Sequence, residues 1–209
     1  MSTQEQTVTA TAHVHRDDVG ARMGMWLFLF TELILFGGLF FTYAVYRFLN
    51  QESFHVAAKS MNVFIGTTNT AILLTSSMTI ALSIVALRNG KKILSLTLQG
   101  ITVIFGLIFL INKYFEWTAE IHHGNYPGSP ELLNQPSGHI LFYGLYYTMT
   151  GLHGLHVFIG MVVIMFMMRF TIKDVITPDR MVKLEAAGLY WHLVDIIWIF
   201  LFPLFYLIT

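Results

Sequence analysis

The residues of this chain that are best suited to chemistry lie inside apolar segments. They are one glutamate, three histidines and one aspartate, namely Glu32, His153, His156, His192 and Asp195. His153 and His156 are three residues apart, which places them on one face of a helix. His192 and Asp195 have the same spacing. Carboxylate and imidazole groups bind transition metals and relay protons, and they also simply hydrogen-bond one another between helices.

Five long apolar stretches contain these residues and are expected to position them. A helix needs about 20 residues to cross a bilayer core of about 30 Å. Stretches of this length lie at residues 23–46, 63–87, 96–115, 140–168 and 186–208. We therefore predict an all-α, polytopic transmembrane bundle with five spanning helices, in a single domain over residues 23–209. The polar residues 1–22 are predicted to form a tail.

Three of the predicted spans place polar side chains at about one level of the membrane, given a rise of 1.5 Å per residue. These are the first span with Glu32, the fourth with both of its histidines, and the fifth with His192 and Asp195. An ionised group at the bilayer centre costs about 2.5–3.5 kcal/mol, so these side chains should face the bundle. We predict a buried polar layer that serves packing, a proton-related role, or a metal or haem site.

Two further charged residues lie near the outer end of the third span. Lys113 and Glu116 are three residues apart, and opposite charges at this spacing meet on the helix surface. We predict an interfacial ion pair between them.

The composition excludes several classes of protein. The 209 residues are 55% hydrophobic and only 11% charged, whereas an average soluble domain is about 25% charged. Twelve basic residues balance twelve acidic ones, which gives no reason to expect nucleic acid as a partner. Cysteine is absent, so no thiolate can hold a dinuclear copper centre, an iron–sulfur cluster or a c-type haem. Phosphate-loop, dinucleotide and serine-hydrolase motifs are also missing, and we assign no catalytic residue.

The distribution of basic residues predicts the orientation. Nine lysines and arginines lie on the side of the N-terminal tail, against three on the other side. Because cytoplasmic segments are enriched in Lys and Arg, the N-terminus and the tail are expected in the cytoplasm.

Five ordered motifs resemble subunit III of the haem–copper oxidases. They are GMWLFLFTE at residues 24–32, NTAILLTSS at 69–77, residues 106–117, TGLHGLHV at 150–157 and WHLVDIIW at 191–198. Together they follow the order of the family over residues 20–206. Glu32 is similar to the intramembrane glutamate of that family, and the other polar residues fall on its remaining polar motif positions. Lys113 is a departure, since many members have glutamine there.

The resemblance implies a non-catalytic subunit of a cytochrome c oxidase complex. Such a subunit packs on subunit I in a complex with subunit II, holds phospholipid, and supports O2 reduction coupled to proton pumping. Haem and copper are then expected in the partner subunits and not in this chain. Longer members have seven helices and this chain lacks the first two, a short form that implies a bacterial plasma membrane.

Three alternatives remain open at this point. One is the equivalent subunit of a quinol oxidase or of a nitric oxide reductase system, because the choice of electron donor resides in other subunits. A second is an intramembrane metalloenzyme that uses the five polar residues of the layer. A third is a transporter, which the lack of a matching pair of broken helices disfavours.

Overall fold

The computed structural model describes residues 18–207. Residues 1–17 and 208–209 lie outside the described part, and with them most of the predicted tail. The first helix begins at Asp18, so residues 18–22 are helical instead of belonging to a tail. The described helices are α1 (Asp18–Leu49), α2 (Gln51–Lys59), α3 (Val63–Arg88), α4 (Lys92–His122), α5 (Pro130–Leu133), α6 (Ser137–Ile172) and α7 (Val182–Phe202), with a π-helical turn at Pro203–Leu207.

Five of these helices are long and apolar enough to cross a membrane. They are α1, α3, α4, α6, and α7 together with its π-helical turn. This confirms the predicted all-α architecture with five spans, and no strand occurs within residues 18–207. α6 has 36 residues, which corresponds to about 54 Å and exceeds the hydrocarbon thickness, so it must tilt or project from the bilayer.

The short helix α2 was not predicted from the sequence. It follows α1 after one residue and buries Phe54, Ala57 and Ala58. The Phe54 ring packs edge-on against Tyr43 of α1 at 5.4 Å and Phe142 of α6 at 5.5 Å. α2 therefore covers the end of the bundle where α1 stops and α6 begins.

α7 lies in the centre of the bundle and α1 at its edge. Over its most apolar stretch, α7 is 56% buried and α1 only 11%. α1 buries Leu29, Phe36 and Tyr43, which recur every seven residues and form one narrow stripe. This stripe faces α6 and α7, whereas α3 and α4 pair as an antiparallel hairpin on the other side of α7.

Two local signals explain the ends of this hairpin. Asn62 caps α3, because its side-chain oxygen accepts hydrogen bonds from the backbone N–H groups of Phe64 and Ile65 at 3.1 and 3.2 Å. Gly90 provides the turn into α4 with a φ of +73°, a backbone conformation that favours glycine. The two helices are thereby held close enough for their buried polar side chains to meet.

Candidate functional site: a divided polar layer

Glu32 of α1 and His156 of α6 form a direct contact inside the bundle. Oε2 of Glu32 lies 2.9 Å from Nε2 of His156, and both side chains are largely buried. The other ring nitrogen, Nδ1, lies 2.7 Å from the carbonyl oxygen of Leu152. A carbonyl oxygen only accepts hydrogen bonds, so Nδ1 must carry a hydrogen. One further hydrogen then lies between Glu32 and His156.

The net charge of this pair is zero for either position of that hydrogen. If it is on Glu32, both groups are neutral, and if it is on His156, one negative and one positive charge cancel. The Phe36 ring packs edge-on against the imidazole at 5.3 Å. A charge-neutral pair beside an aromatic ring is tolerated in an apolar bundle far better than a lone carboxylate.

The pair also borders an open groove between α1, α6 and α7. The groove has a volume of about 580 Å³, and its wall is mostly apolar. The residues lining it include Phe28, Glu32, His156, Ile159, Val163, Lys183 and Tyr190. The hydroxyl of Tyr190 donates to the backbone carbonyl of His156 at 3.2 Å and so ties α7 to the same point of α6.

His153 does not join this pair, although it was predicted to share its layer. Its ring is fully buried and packs between Phe109 at 5.5 Å and Trp198 at 5.3 Å. Neither of its ring nitrogens hydrogen-bonds any of the described residues. The side chain therefore fills space between α4, α6 and α7.

His192 and Asp195 meet α3 instead of α1 or α6. Nδ1 of His192 lies 2.7 Å from the hydroxyl of Ser77. Asp195 is 2% exposed and has the same serine, Ser77, as its polar neighbour. The predicted single layer is thus divided into one contact between α1 and α6 and another between α7 and α3.

Ser77 was missed as a site residue, although it ends the motif at residues 69–77. A lone serine in an apolar helix is most often bonded to its own backbone, so the sequence alone does not distinguish it. The sequence feature that could have indicated Ser77 as a site residue is its position near the middle of a predicted span.

Lys113 and Glu116 form the predicted ion pair, with 3.2 Å between Nζ and Oε1. We expected this pair at the membrane interface. It is instead enclosed in the bundle, with side chains that are 8% and 5% exposed. Lys113 also donates to the hydroxyls of Tyr146 at 3.1 Å and Tyr206 at 2.9 Å. Its ammonium group lies 5.3 Å from the ring centre of Trp198, which adds a cation–π contact.

The two tyrosines complete this cluster and were not predicted. The hydroxyls of Tyr146 and Tyr206 both donate to Oε1 of Glu116, Tyr146 at 2.5 Å. The cluster joins α4, α6 and the π-helical turn, and it surrounds the ammonium group and Oε1 of Glu116 with partners, whereas Oε2 is buried without a hydrogen bond to any residue between 18 and 207. The sequence has nine tyrosines, and only packing reveals which of them face a charge.

The residues proposed for a metalloenzyme are not brought together as a ligand set. Within residues 18–207 no group of three or more His, Cys, Asp and Glu side chains is arranged to hold a metal ion. The closest approach among them is the pair of Glu32 and His156. These side chains are arranged as contacts between helices and not as metal ligands. The side chains around Lys113 likewise join helices to one another.

Comparisons with known proteins agree with the motifs. The family model described as "Cytochrome c oxidase subunit III" matches residues 3–209. Cytochrome c oxidase subunit 3 of Thermostichus vulcanus is 31% identical, over 97% of this chain and 94% of that protein. Cytochrome bo(3) ubiquinol oxidase subunit 3 of Pseudomonas putida is 32% identical, over 89% of this chain and 84% of that protein. The heme-copper oxidase subunit I+III of Aeropyrum pernix is 29% identical, over 90% of this chain and 22% of that protein. The chain therefore belongs to the cytochrome c oxidase subunit III family, the third subunits of the haem–copper oxidases.

Proposed function

We propose that this chain is a non-catalytic subunit of a bacterial respiratory haem–copper oxidase, embedded in the plasma membrane and packed against subunit I, in a complex with subunit II. The family match over residues 3–209 is the observation that carries the proposal. The relative named subunit I+III supports direct packing, because its name joins both subunits in one protein. The complex would reduce O2 to water and pump protons, and this subunit would sustain that turnover.

We assign haem and copper to the partner subunits. The histidines of this chain that lie deep in the membrane are engaged by other groups. His156 contacts Glu32, His192 contacts Ser77, and His153 is enclosed by two aromatic rings. Axial coordination of a haem by His153 or His156 would require the ring to leave its contact.

We also propose that the groove between α1, α6 and α7 holds a phospholipid chain. Its wall is almost entirely apolar, as an acyl chain requires. Lys183 lines the groove at the end where α7 begins, so its ammonium group is suited to a lipid phosphate. The expected readout is phospholipid that stays with the complex through detergent exchange and is lost on Lys183→Glu.

We propose a cytoplasmic N-terminus. Basic side chains concentrate at the end of the bundle where α1 begins, among them Arg22, Arg88 and Lys92. Glu185 pairs with the two arginines, and Asp174 pairs with Lys92. An excess of Lys and Arg is typical of the cytoplasmic side of membrane proteins.

The experiment that tests the function is purification of the tagged full chain from its native membrane, in mild detergent with lipid. We expect a larger partner with the reduced-minus-oxidised spectrum of haem a, b or o. Removing this chain should leave the haem with the partner and lower the number of turnovers before activity is lost. A partner with a cysteine-ligated copper site would indicate cytochrome c as the donor, and a partner without it would indicate quinol. A chain that purifies alone, or that carries its own metal or haem, would refute the proposal.

A further inference from the structure

One face of α7 points away from the bundle although it contains polar groups. Residues spaced alternately by four and three lie along this face, which we call the α7 outer face and define as Glu185, Leu189, His192, Ile196 and Ile199. The three aliphatic members are between 37% and 47% exposed. α1 and α3 flank the face and leave it uncovered in the described part of the chain.

His192 occupies the middle of this face and reaches the surface. Its Nδ1 is engaged by Ser77, but Nε2 makes no hydrogen bond to any residue between 18 and 207 and is not enclosed. Asp195, three residues further along α7, is buried beside the same serine. Polar groups in a membrane almost always face protein or water, because lipid tails offer no hydrogen bonds. A polar surface at this depth therefore indicates a protein neighbour.

The end of the same face adds a charge requirement. Glu185 forms ion pairs with two arginines. Its Oε2 lies 3.3 Å from Nη2 of Arg22 in α1, and its Oε1 lies 3.0 Å from Nη2 of Arg88 in α3. Both arginine side chains are 63% exposed, and one carboxylate faces two guanidinium groups. Because both guanidinium groups remain largely exposed beside this carboxylate, an acidic side chain on a neighbour would complement this end of the face.

The outward face of α4 provides the contrast. Its exposed members in the middle of the helix are Ile104, Leu107, Ile108 and Ile111. The polar side chains of α4, such as Gln99 and Thr102, are buried. A purely aliphatic surface of this kind suits lipid and gives a polypeptide neighbour nothing specific to recognise.

We propose that the α7 outer face, with its flanks Arg22 and Arg88, is the docking surface for a transmembrane helix of the catalytic, haem-containing subunit. That helix presents an acidic side chain to the two arginines and a hydrogen-bonding side chain to Nε2 of His192. The inference rests on the proposed function and deepens it, because it names the face on which this chain meets its partner.

Cross-linking tests the face directly, since the natural chain contains no cysteine. Single cysteines are introduced as Leu189→Cys and Ile196→Cys on the α7 outer face, with Ile104→Cys and Ile111→Cys on α4 as matched aliphatic controls. Each variant is labelled with a benzophenone maleimide in native membranes and illuminated. We expect the two α7 positions, and neither α4 position, to form an adduct with the haem-containing subunit.

The outcomes separate this inference from the proposed function. Adducts to the haem subunit from α4 but not from α7 would overturn the docking face and leave the oxidase assignment intact. An adduct of twice the mass of this chain from α7 would indicate a second copy of the chain and would also overturn it. The absence of adducts from α7, with haem still co-purifying, would indicate lipid on this face. Failure of haem to co-purify at all would refute the proposed function itself.

Two substitutions of His192 give an independent measure. His192→Gln keeps hydrogen-bonding capacity, and His192→Leu removes it at similar volume. We expect His192→Leu to lower the haem recovered per tagged chain about fivefold, the loss expected for one interhelical hydrogen bond, and His192→Gln to recover most of it. Equal recovery for both variants would overturn the contact, provided that the amount of chain in the membrane is unchanged.

Discussion

Glu32 and His156, 124 residues apart in the sequence, share a single hydrogen across 2.9 Å between Oε2 and Nε2. The carbonyl of Leu152 fixes this arrangement, because it requires a hydrogen on the opposite nitrogen of the ring. Within residues 18–207 the contact is the only side-chain hydrogen bond between α1 and α6, and α1 buries few other side chains. The pair therefore ties the edge helix to α6, while Arg22 and Tyr43 tie it to α7 and to the π-helical turn.

We predict that Glu32→Gln leaves the complex assembled and active, whereas Glu32→Ala destabilises it. A glutamine amide can donate to Nε2 of His156 as a protonated carboxyl group does, so the contact persists. Alanine leaves a largely buried nitrogen without a partner, which costs about 1–3 kcal/mol. The measurement is the thermal midpoint of the purified complex together with its proton-to-electron ratio. A lowered ratio in Glu32→Gln, with normal assembly, would mean that the pair takes part in proton movement.

The Lys113 cluster should tolerate the loss of both charges better than the loss of one. Glu116→Gln leaves a buried ammonium group without a counter-ion, and we expect a loss of about 3–5 kcal/mol. The double variant Lys113→Gln with Glu116→Gln has no uncompensated charge and should be the more stable of the two. Thermal unfolding followed by tryptophan fluorescence compares them. The prediction fails if the double variant loses as much stability as Glu116→Gln and Lys113→Gln, measured separately, lose in sum.

Trp191 should be sensitive to the glycines that enclose it. A Cβ at Gly106 would lie 2.8 Å from Cη2 of this indole, and one at Gly160 would lie 2.8 Å from Cε3. Gly106→Ala and Gly160→Ala should each cost about 1–3 kcal/mol and disturb the hydrogen bond that Nε1 donates to Ser76 at 3.1 Å. Gly37→Ala is the control, since no atom lies within 4 Å of its added Cβ. The readouts are the thermal midpoint and the tryptophan emission maximum.

The orientation can be measured with the same cysteine-free background. Lys91→Cys lies in the connector between α3 and α4, and Tyr126→Cys in the loop between α4 and α6, at opposite ends of the bundle. A membrane-impermeant maleimide applied to intact spheroplasts should label Tyr126→Cys at once and Lys91→Cys only after lysis. The reverse pattern would place the N-terminus outside.

The number of spans was predictable from the sequence because it depends on the length and hydropathy of each segment alone. α2 was not, because its nine residues are too mixed in polarity to stand out, and its burial depends on Tyr43 of the preceding helix and on Phe142, far away in the chain. A short helix such as α2 is stabilised by the residues that it packs against, and its own composition does not indicate them.

The site was predictable in its residue types and depths but not in its pairings. The depth estimate correctly grouped Glu32 with His156, which are in contact. It also grouped His192 with them, although that ring turns to Ser77 of α3. Which neighbour a side chain faces depends on the rotation of each helix about its axis, and a rotation is fixed only by packing.

The cluster around Lys113 has a consequence for biosynthesis. Tyr206, which donates to Glu116 and accepts from Lys113, follows that lysine by 93 residues. At about 5–20 residues per second, the ribosome needs about 5 to 20 s to supply it after α4 has emerged. During that interval the insertion machinery must accommodate a lysine and a glutamate whose second hydroxyl partner, Tyr206, does not yet exist. The polar cluster that stabilises α4 in the membrane is thus expected to be complete only after the π-helical turn has been translated.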